Sequence, residues 1–304
     1  MQFTVNSLDN IERIDLYLSA RFFDLSRSSI VKLIESGKIL VNGNKVLKKY
    51  VPVLGDIIQI NLDNDECNED NIKPENIPID IIYEDNYLMV INKPKGMVVH
   101  PAPGHFSGTL VNALMFYTSN LSDINSKIRP GIVHRIDKDT SGLLLIAKNN
   151  FVHENLSNQI KNKTAKREYL GIVHGTFTIK CGKIDLPIGR DPKNRKKMAV
   201  TDKNSKNAVT HYEVLESIKN YSYLKFSLET GRTHQIRVHM SKLGHPLAGD
   251  ITYGARNDPK FLNGQCLHAR KIQFVHPISN KTMEFISDLP DEFLKFIDLI
   301  GFKT

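Results

Sequence analysis

Between residues 129 and 142 the chain reads RPGIVHRIDKDTSG, followed at once by LLLIA. Charged and polar side chains are crowded there between two apolar runs. Asp139, Thr140, Ser141 and Gly142 carry turn chemistry. A turn therefore explains the second half of the segment and leaves His134-Arg135-Ile136-Asp137 without a local reason. If this first half is extended or looped, Arg135 and Asp137, two residues apart, project to one side. A carboxylate displayed in this way can serve as a nucleophile or as a general base.

Other chemistries lack their residues. No GxxxxGK[ST] phosphate loop is present, and no GxGxxG follows a strand pattern. His153-Glu154 opens an HExxH-like string, but Ser157 stands where the second histidine belongs. Cys67, Cys181 and Cys266 form no CxxC pair, so neither a zinc site nor a disulfide framework has support. The expectation is cofactor-free, metal-free chemistry in a reduced, cytoplasmic setting.

Lysine and arginine number 41 against 33 aspartates and glutamates, a net charge of +8 that favours a polyanionic partner. The densest basic run is Gly189 to Lys197, where Arg195, Lys196 and Lys197 stand together. Such a run serves equally as a solvated loop or as a clamp on phosphates. The N-terminal MQFTVNSLDN has neither a basic nor an apolar signal region, and Leu143 to Ala147 is the longest apolar run. A soluble protein with no membrane span is expected.

These residues must be positioned by two bodies of chain. Residues 1–62 read as a small module. Ile14, Tyr17, Leu18 and Phe22 recur at helical spacing, and Ser26 can cap a second helix that Gly37 ends. Asn42-Gly43 between apolar runs then signals a hairpin, because both turn positions need positive φ. Residues 63–78, DNDECNEDNIKPENIP, are acidic, aperiodic and rich in asparagine and proline, and read as a linker. From 79 to 304, strand patterns over 87–92, 142–148, 168–173, 210–215, 223–228 and 270–274 outnumber helical ones over 110–117, 152–161 and 234–243. They do not alternate regularly, which indicates an α+β domain with a mostly antiparallel mixed sheet.

Two helices and an NG hairpin carrying Arg13, Arg27 and Lys32, above all SRSSIVKLIESGKILVNGNKV, resemble the S4 RNA-binding domain. HRIDKDTSG resembles the signature of the RluA-type pseudouridine synthases. NKPKGMVVHPAPGH (92–105), KREYLGIVHG (166–175), LETGRTHQIRVHMSKLGHPLAGDITYG (228–254) and LHARKIQFVHP (267–277) resemble further segments of that family, in its order. Within the family, an S4 module together with HPAPGH is most similar to the synthases of the ribosomal large subunit, type D.

The resemblance implies a pseudouridine synthase fold and a reaction that cuts the C1′–N1 bond of a uridine and rejoins C1′ to C5. It makes Asp137 the catalytic carboxylate, Tyr169 the active-site aromatic against the uracil, and Arg237 the charge partner of Asp137. Burial alone disfavours an ionised aspartate, and a neighbouring guanidinium opposes that effect. His134 and Arg135 are implied to touch the substrate, with Arg135 filling the gap left by the flipped base or contacting its backbone. Large-subunit ribosomal RNA or a pre-ribosomal particle is the implied partner, and a monomer is the default. A non-catalytic RNA-binding assembly factor is the alternative, which loss of Asp137, Tyr169 or Arg237 would have favoured.

Overall fold

In a computed structural model, described over residues 2–6, 13–22, 27–61, 72–102, 105–124, 129–194, 197–254 and 257–303, the chain forms two compact units that meet in sequence between Asn68 and Glu69. The side chains of Ser28, Ser29 and Lys32 lie outside that description, as does all of Ser26, the residue read as a helix cap.

The first unit has α1 (Ile14–Arg21) and α2 (Arg27–Glu35) packed on a sheet ordered β1 (Gln2–Thr4), β4 (Ile57–Ile60), β2 (Ile39–Val41), β3 (Asn44–Lys45). Ile14, Leu18, Ile30, Leu33 and Ile34 bury their helical stripes against Ile39, Val41, Ile58 and Ile60. Gly37 ends α2 at φ +75°, with its own N–H and that of Lys38 donating to the carbonyls of Ile34 and Leu33. The hairpin turn has Asn42 at φ +51° and Gly43 at φ +79°, as their residue types require. The edge strand β1 and its inner neighbour β4, which carry little periodicity of their own, complete the sheet.

The second unit is α+β, built on a sheet with strand order β5 (Asp80–Glu84), β6 (Leu88–Lys93), β7 (Ser141–Ala147), β14 (Leu267–Val275), β8 (Lys166–His174), β13 (Tyr221–Leu228), β12 (Val209–Ile218) and β9 (Cys181–Asp185). A further strand, β15 (Thr282–Ile286), also pairs with β14. All pairs are antiparallel except β7 with β14. A separate hairpin joins β10 (Ile188–Arg190) to β11 (Met198–Val200).

Every residue of β7 is buried, because the sheet is covered on both faces there. Leu144 and Ile146 face the main core with α3 (Leu110–Tyr117) and α5 (Gln235–Lys242). Leu143 and Leu145 face α4 (Asn150–Lys161) and Phe274. Gly142 sits at φ +110° where β7 meets β14, and a Cβ there would lie 2.3 Å from the Ala269 carbonyl oxygen. Glycine is thus required by the crossing itself. A C-terminal helix, α6 (Asp291–Ile300), absent from the sequence reading, buries Phe293, Phe296 and Ile297 over Ile172 and Tyr223.

The proposed linker changes character before its end. Ile72 is buried in the main core. The side-chain amide of Asn112 donates to the Lys73 carbonyl at 2.8 Å, and the N–H of Glu75 donates to the Asn112 carbonyl at 3.0 Å. Residues 72–78 therefore pack as part of the second unit, because one apolar side chain and the buried Asn112 of α3 are enough to hold a segment of low periodicity.

Candidate active site

Asp137 opens a tight turn, with the N–H of Thr140 donating to its carbonyl at 3.1 Å. The turn is clamped from below by Lys93, which is fully buried at the end of β6. Its Nζ donates to the carbonyls of Pro94 at 2.7 Å, Met97 at 2.9 Å and Lys138 at 3.0 Å, using all three ammonium hydrogens. Burial pushes the Lys93 pKa down to about 7, with Asp139 and Asp137 partly opposing it. The N–H of Gly96 also donates to the Lys138 carbonyl, so the NKPKG turn and the HRID segment form one rigid piece.

Across from this turn, α5 begins at His234, whose φ of +57° is unusual for a non-glycine residue. Arg237, one turn into the helix, sends Nη1 to Asp137 Oδ2 at 3.2 Å. Its Nε and Nη2 bind Asp250 Oδ2 and Oδ1 at 2.7 and 2.9 Å, a bidentate pair. The Asp250 side chain is fully shielded and also accepts the N–H groups of Thr252 and Tyr253. Burial opposes the charge on Arg237, but the bonds and charge of Asp250, with Asp137 adding to them, hold its pKa above the ordinary arginine value. One guanidinium is thus fixed by the first carboxylate and presented to the second.

The other oxygen of Asp137, Oδ1, lies 3.9 Å from His234 Nε2, beyond hydrogen-bond reach, and is available to a substrate. His234 Nδ1 is 2.8 Å from the Tyr253 hydroxyl, which itself accepts the Met198 N–H at 2.8 Å. With the hydroxyl donating to Nδ1, neutral His234 carries its own proton on Nε2, toward Asp137; the other tautomer reverses this bond. Desolvation holds the imidazole pKa below its usual value, with the Asp137 charge opposing. The Tyr253 ring also stacks on Arg237, 5.0 Å from centroid to guanidinium carbon.

Asp137, Arg135, Tyr169 and Arg237 line one pocket, whose opposite wall is Gly231 to Ile236. Tyr169 is 5% exposed, and desolvation, with a contribution from Asp137, raises its phenol pKa. Its neighbour in the register, Phe226 of β13, belongs to the same core. Arg135 is exposed, with Nη1 3.3 Å from His100 Nε2. His134 does not line the pocket. Its Nε2 accepts the Leu145 N–H at 3.2 Å, tying the segment to β7, and burial lowers its pKa to about 3. The structure gives it a strand-anchoring place instead of the substrate contact expected.

The basic run begins in β10 and ends in sequence just before β11. Arg195 and Lys196 lie outside the described residues. Lys197 reaches the Thr252 carbonyl and sits 5.8 Å from the Tyr253 ring centroid, beside the residues that hold Arg237. In the first unit, Arg13 and Arg27 both pair with Asp15, at 2.9 Å each, a carboxylate that is almost fully shielded. These two arginines thus have a structural partner while keeping about half of each side chain exposed. Asp250, His234, Tyr253 and Lys93 went unassigned in the sequence. Each stood inside a quoted motif, but nothing local marks which of its polar residues turns inward.

The segments that build this pocket fall within residues 87–242 and 267, and the first of those ranges matches the family described as RNA pseudouridylate synthase. This chain belongs to that family. Residues 12–58 match the S4 domain. The chain is 48% identical to an uncharacterized RNA pseudouridine synthase, YlyB, of Bacillus subtilis, over 97% of this chain and 96% of the relative. It is 42% identical to the ribosomal large subunit pseudouridine synthase D of Neisseria meningitidis, over 96% of this chain and 79% of that protein. Human RNA pseudouridylate synthase domain containing 1 superposes with a TM-score of 0.58 at 26% identity, covering 73% of this chain and 87% of the human one. Among the described residues no group of three or more histidine, cysteine, aspartate or glutamate side chains is placed to hold a metal ion, and no helix is long and apolar enough to cross a membrane.

Proposed function

We propose that this synthase converts uridines of large-subunit ribosomal RNA to pseudouridine, with Asp137 as the reacting carboxylate. The observation that carries the reading is the asymmetric environment of that carboxylate. Oδ2 is held by Arg237, and Oδ1 faces a pocket that Tyr169 also lines. A free oxygen on a fixed carboxylate can attack C1′ or take the C2′ proton, the two roles the chemistry allows. The buried Tyr169 ring offers a flat apolar wall to a flipped uracil, where stacking stabilises by roughly 1–3 kcal/mol. Extracting the base from its stack costs about a few kcal/mol.

The large-subunit assignment draws on the type D relatives, and the S4 match supports RNA as the polymer bound. Lys197, and with it the neighbouring Arg195 and Lys196 of the same basic run, supplies phosphate contacts that give affinity without reading bases. Arg135 at the pocket mouth contacts the displaced nucleotide or fills its place.

The test is pseudouridine mapping on large-subunit rRNA transcript incubated with pure protein and no added metal, beside Asp137→Asn. New pseudouridine with wild type and none with the variant is the expected result. Equal conversion by the variant would remove Asp137 from the chemistry. Absence of conversion by wild type on transcript and on partly assembled particles would favour the non-catalytic assembly factor.

A further inference from the structure

Arg167 is a pocket-lining cation that the site described above does not use. It lies on β8 two residues before Tyr169, so both project from the same face of the strand, and it is only 6% exposed. Its Nε has no hydrogen-bond partner, and among the described residues no carboxylate pairs with it. The carboxylates nearby are already committed. Asp137 and Asp250 bind Arg237, Glu229 binds Lys163 and His211, and Glu168 binds Lys271. A guanidinium buried without a counter-ion is costly, and natural structures retain one where an anion arrives. Arg167 lines the same pocket as Asp137 and Tyr169, and its Nη1 lies under Gly231, 3.2 Å from where a Cβ would stand. A larger residue at 231 would crowd the guanidinium, so the glycine leaves it room.

We propose that Arg167 binds the detached uracil as an anion, a role that rests on the synthase reading of the pocket. When the C1′–N1 bond breaks, its electron pair stays with the base, and the negative charge spreads over N1, O2 and O4. C1′ is meanwhile bonded to Asp137, or C2′ has given its proton to Asp137. The base turns, C5 bonds to C1′ as the carboxylate leaves or the proton returns to C2′, the C5 proton departs and N1 gains one. Nothing is added or oxidised. Through that sequence a planar two-nitrogen donor can follow the charge from one carbonyl oxygen of the base to the other while the ring rotates. A backbone phosphate is the other anion RNA brings. Burial of Arg167 beside Tyr169, behind the pocket wall, favours the base, because phosphates stay at the solvent side of a flipped nucleotide.

The test compares wild type, Arg167→Met and Arg167→Lys on a short RNA containing one target uridine, and on the same RNA with 5-fluorouridine there, where conversion is read as loss of the C1′–N1 bond because C5 carries fluorine and has no proton to release. Fluorine makes the departing base more acidic, so it needs less help as an anion. Arg167→Met should lower the single-turnover rate at saturating RNA by ~10²-fold or more, the scale of losing a donor to a developing oxyanion. RNA affinity should hardly change, the deficit should shrink on the fluorinated RNA, and Arg167→Lys should recover part of the rate. Unchanged thermal unfolding separates these effects from misfolding. A rate equal to wild type at saturation, with weaker binding and a salt dependence reduced by about one phosphate, would overturn the proposal in favour of a phosphate contact. An equal deficit on both RNAs would overturn it as well. If wild type converts neither RNA while folded and bound, the synthase reading itself fails, which is a separate result.

Discussion

Arg237 serves two carboxylates, and the structure assigns them opposite costs. Asp250 accepts Nε and Nη2 of Arg237 at 2.7 and 2.9 Å and two backbone N–H groups at 3.0 and 3.1 Å, with its side chain fully shielded. Asp137 accepts one bond of 3.2 Å and keeps 15% of its side chain exposed. Replacing Asp250 with asparagine preserves the shape and the backbone bonds but turns one amide toward a buried guanidinium. Breaking a buried pair in this way costs about 3–5 kcal/mol. Asp137→Asn loses one long charge-assisted bond and relieves repulsion between two carboxylates, so its cost is about 1 kcal/mol or less. For a unit of this size about 1 kcal/mol corresponds to roughly 2–4 °C in Tm. Asp250→Asn should therefore lower the Tm of the catalytic unit by roughly 10 °C, while Asp137→Asn should shift it by a few degrees at most and abolish conversion. Calorimetry of both variants beside pseudouridine mapping decides the matter. Equal destabilisation by the two substitutions would refute the division of labour between the carboxylates.

Three further outcomes follow from the same geometry. The Lys93 pKa is about 7 in the folded chain and near 10.5 when unfolded, so between these values the unfolded chain binds the extra proton. Stability should rise with pH across that window and be flat below it, by an amount on the order of a few kcal/mol, and urea titrations of Lys93→Met should lack that rise. Gly142→Ala would drive a Cβ into the Ala269 carbonyl at a positive φ. It should cost at least about 3 kcal/mol, read as loss of the folded fraction on expression or a large fall in urea midpoint. Lys197→Ala should weaken RNA binding and flatten the slope of log affinity against log salt by roughly one phosphate's worth, and an unchanged slope in filter binding would remove Lys197 from the RNA path.

The local chemistry was legible because it depends on neighbours in the chain. Asn42-Gly43 announces its turn through positive φ, Leu143 to Ala147 announces a strand, and the crowding of HRID between apolar runs marks a segment with a task. The start of α3 follows from Thr109 and Asn112, which cap each other's backbone groups.

The rest was decided by register and burial, which no window of sequence contains. Asp137, Asp250 and Arg237 come together because β7 runs parallel to β14, a strand that begins more than a hundred residues later, and because α5 packs against the resulting core. Whether a given arginine is a surface charge or a buried clamp is set by which carboxylate the fold brings beside it. Arg13 and Arg27 acquired Asp15, Arg237 acquired two, and Arg167 acquired no carboxylate among the described residues. The sequence alone determined which groups could react; long-range packing decided which of them share a pocket, because the free energy of a buried charge depends on its surroundings in space and not on its neighbours along the chain.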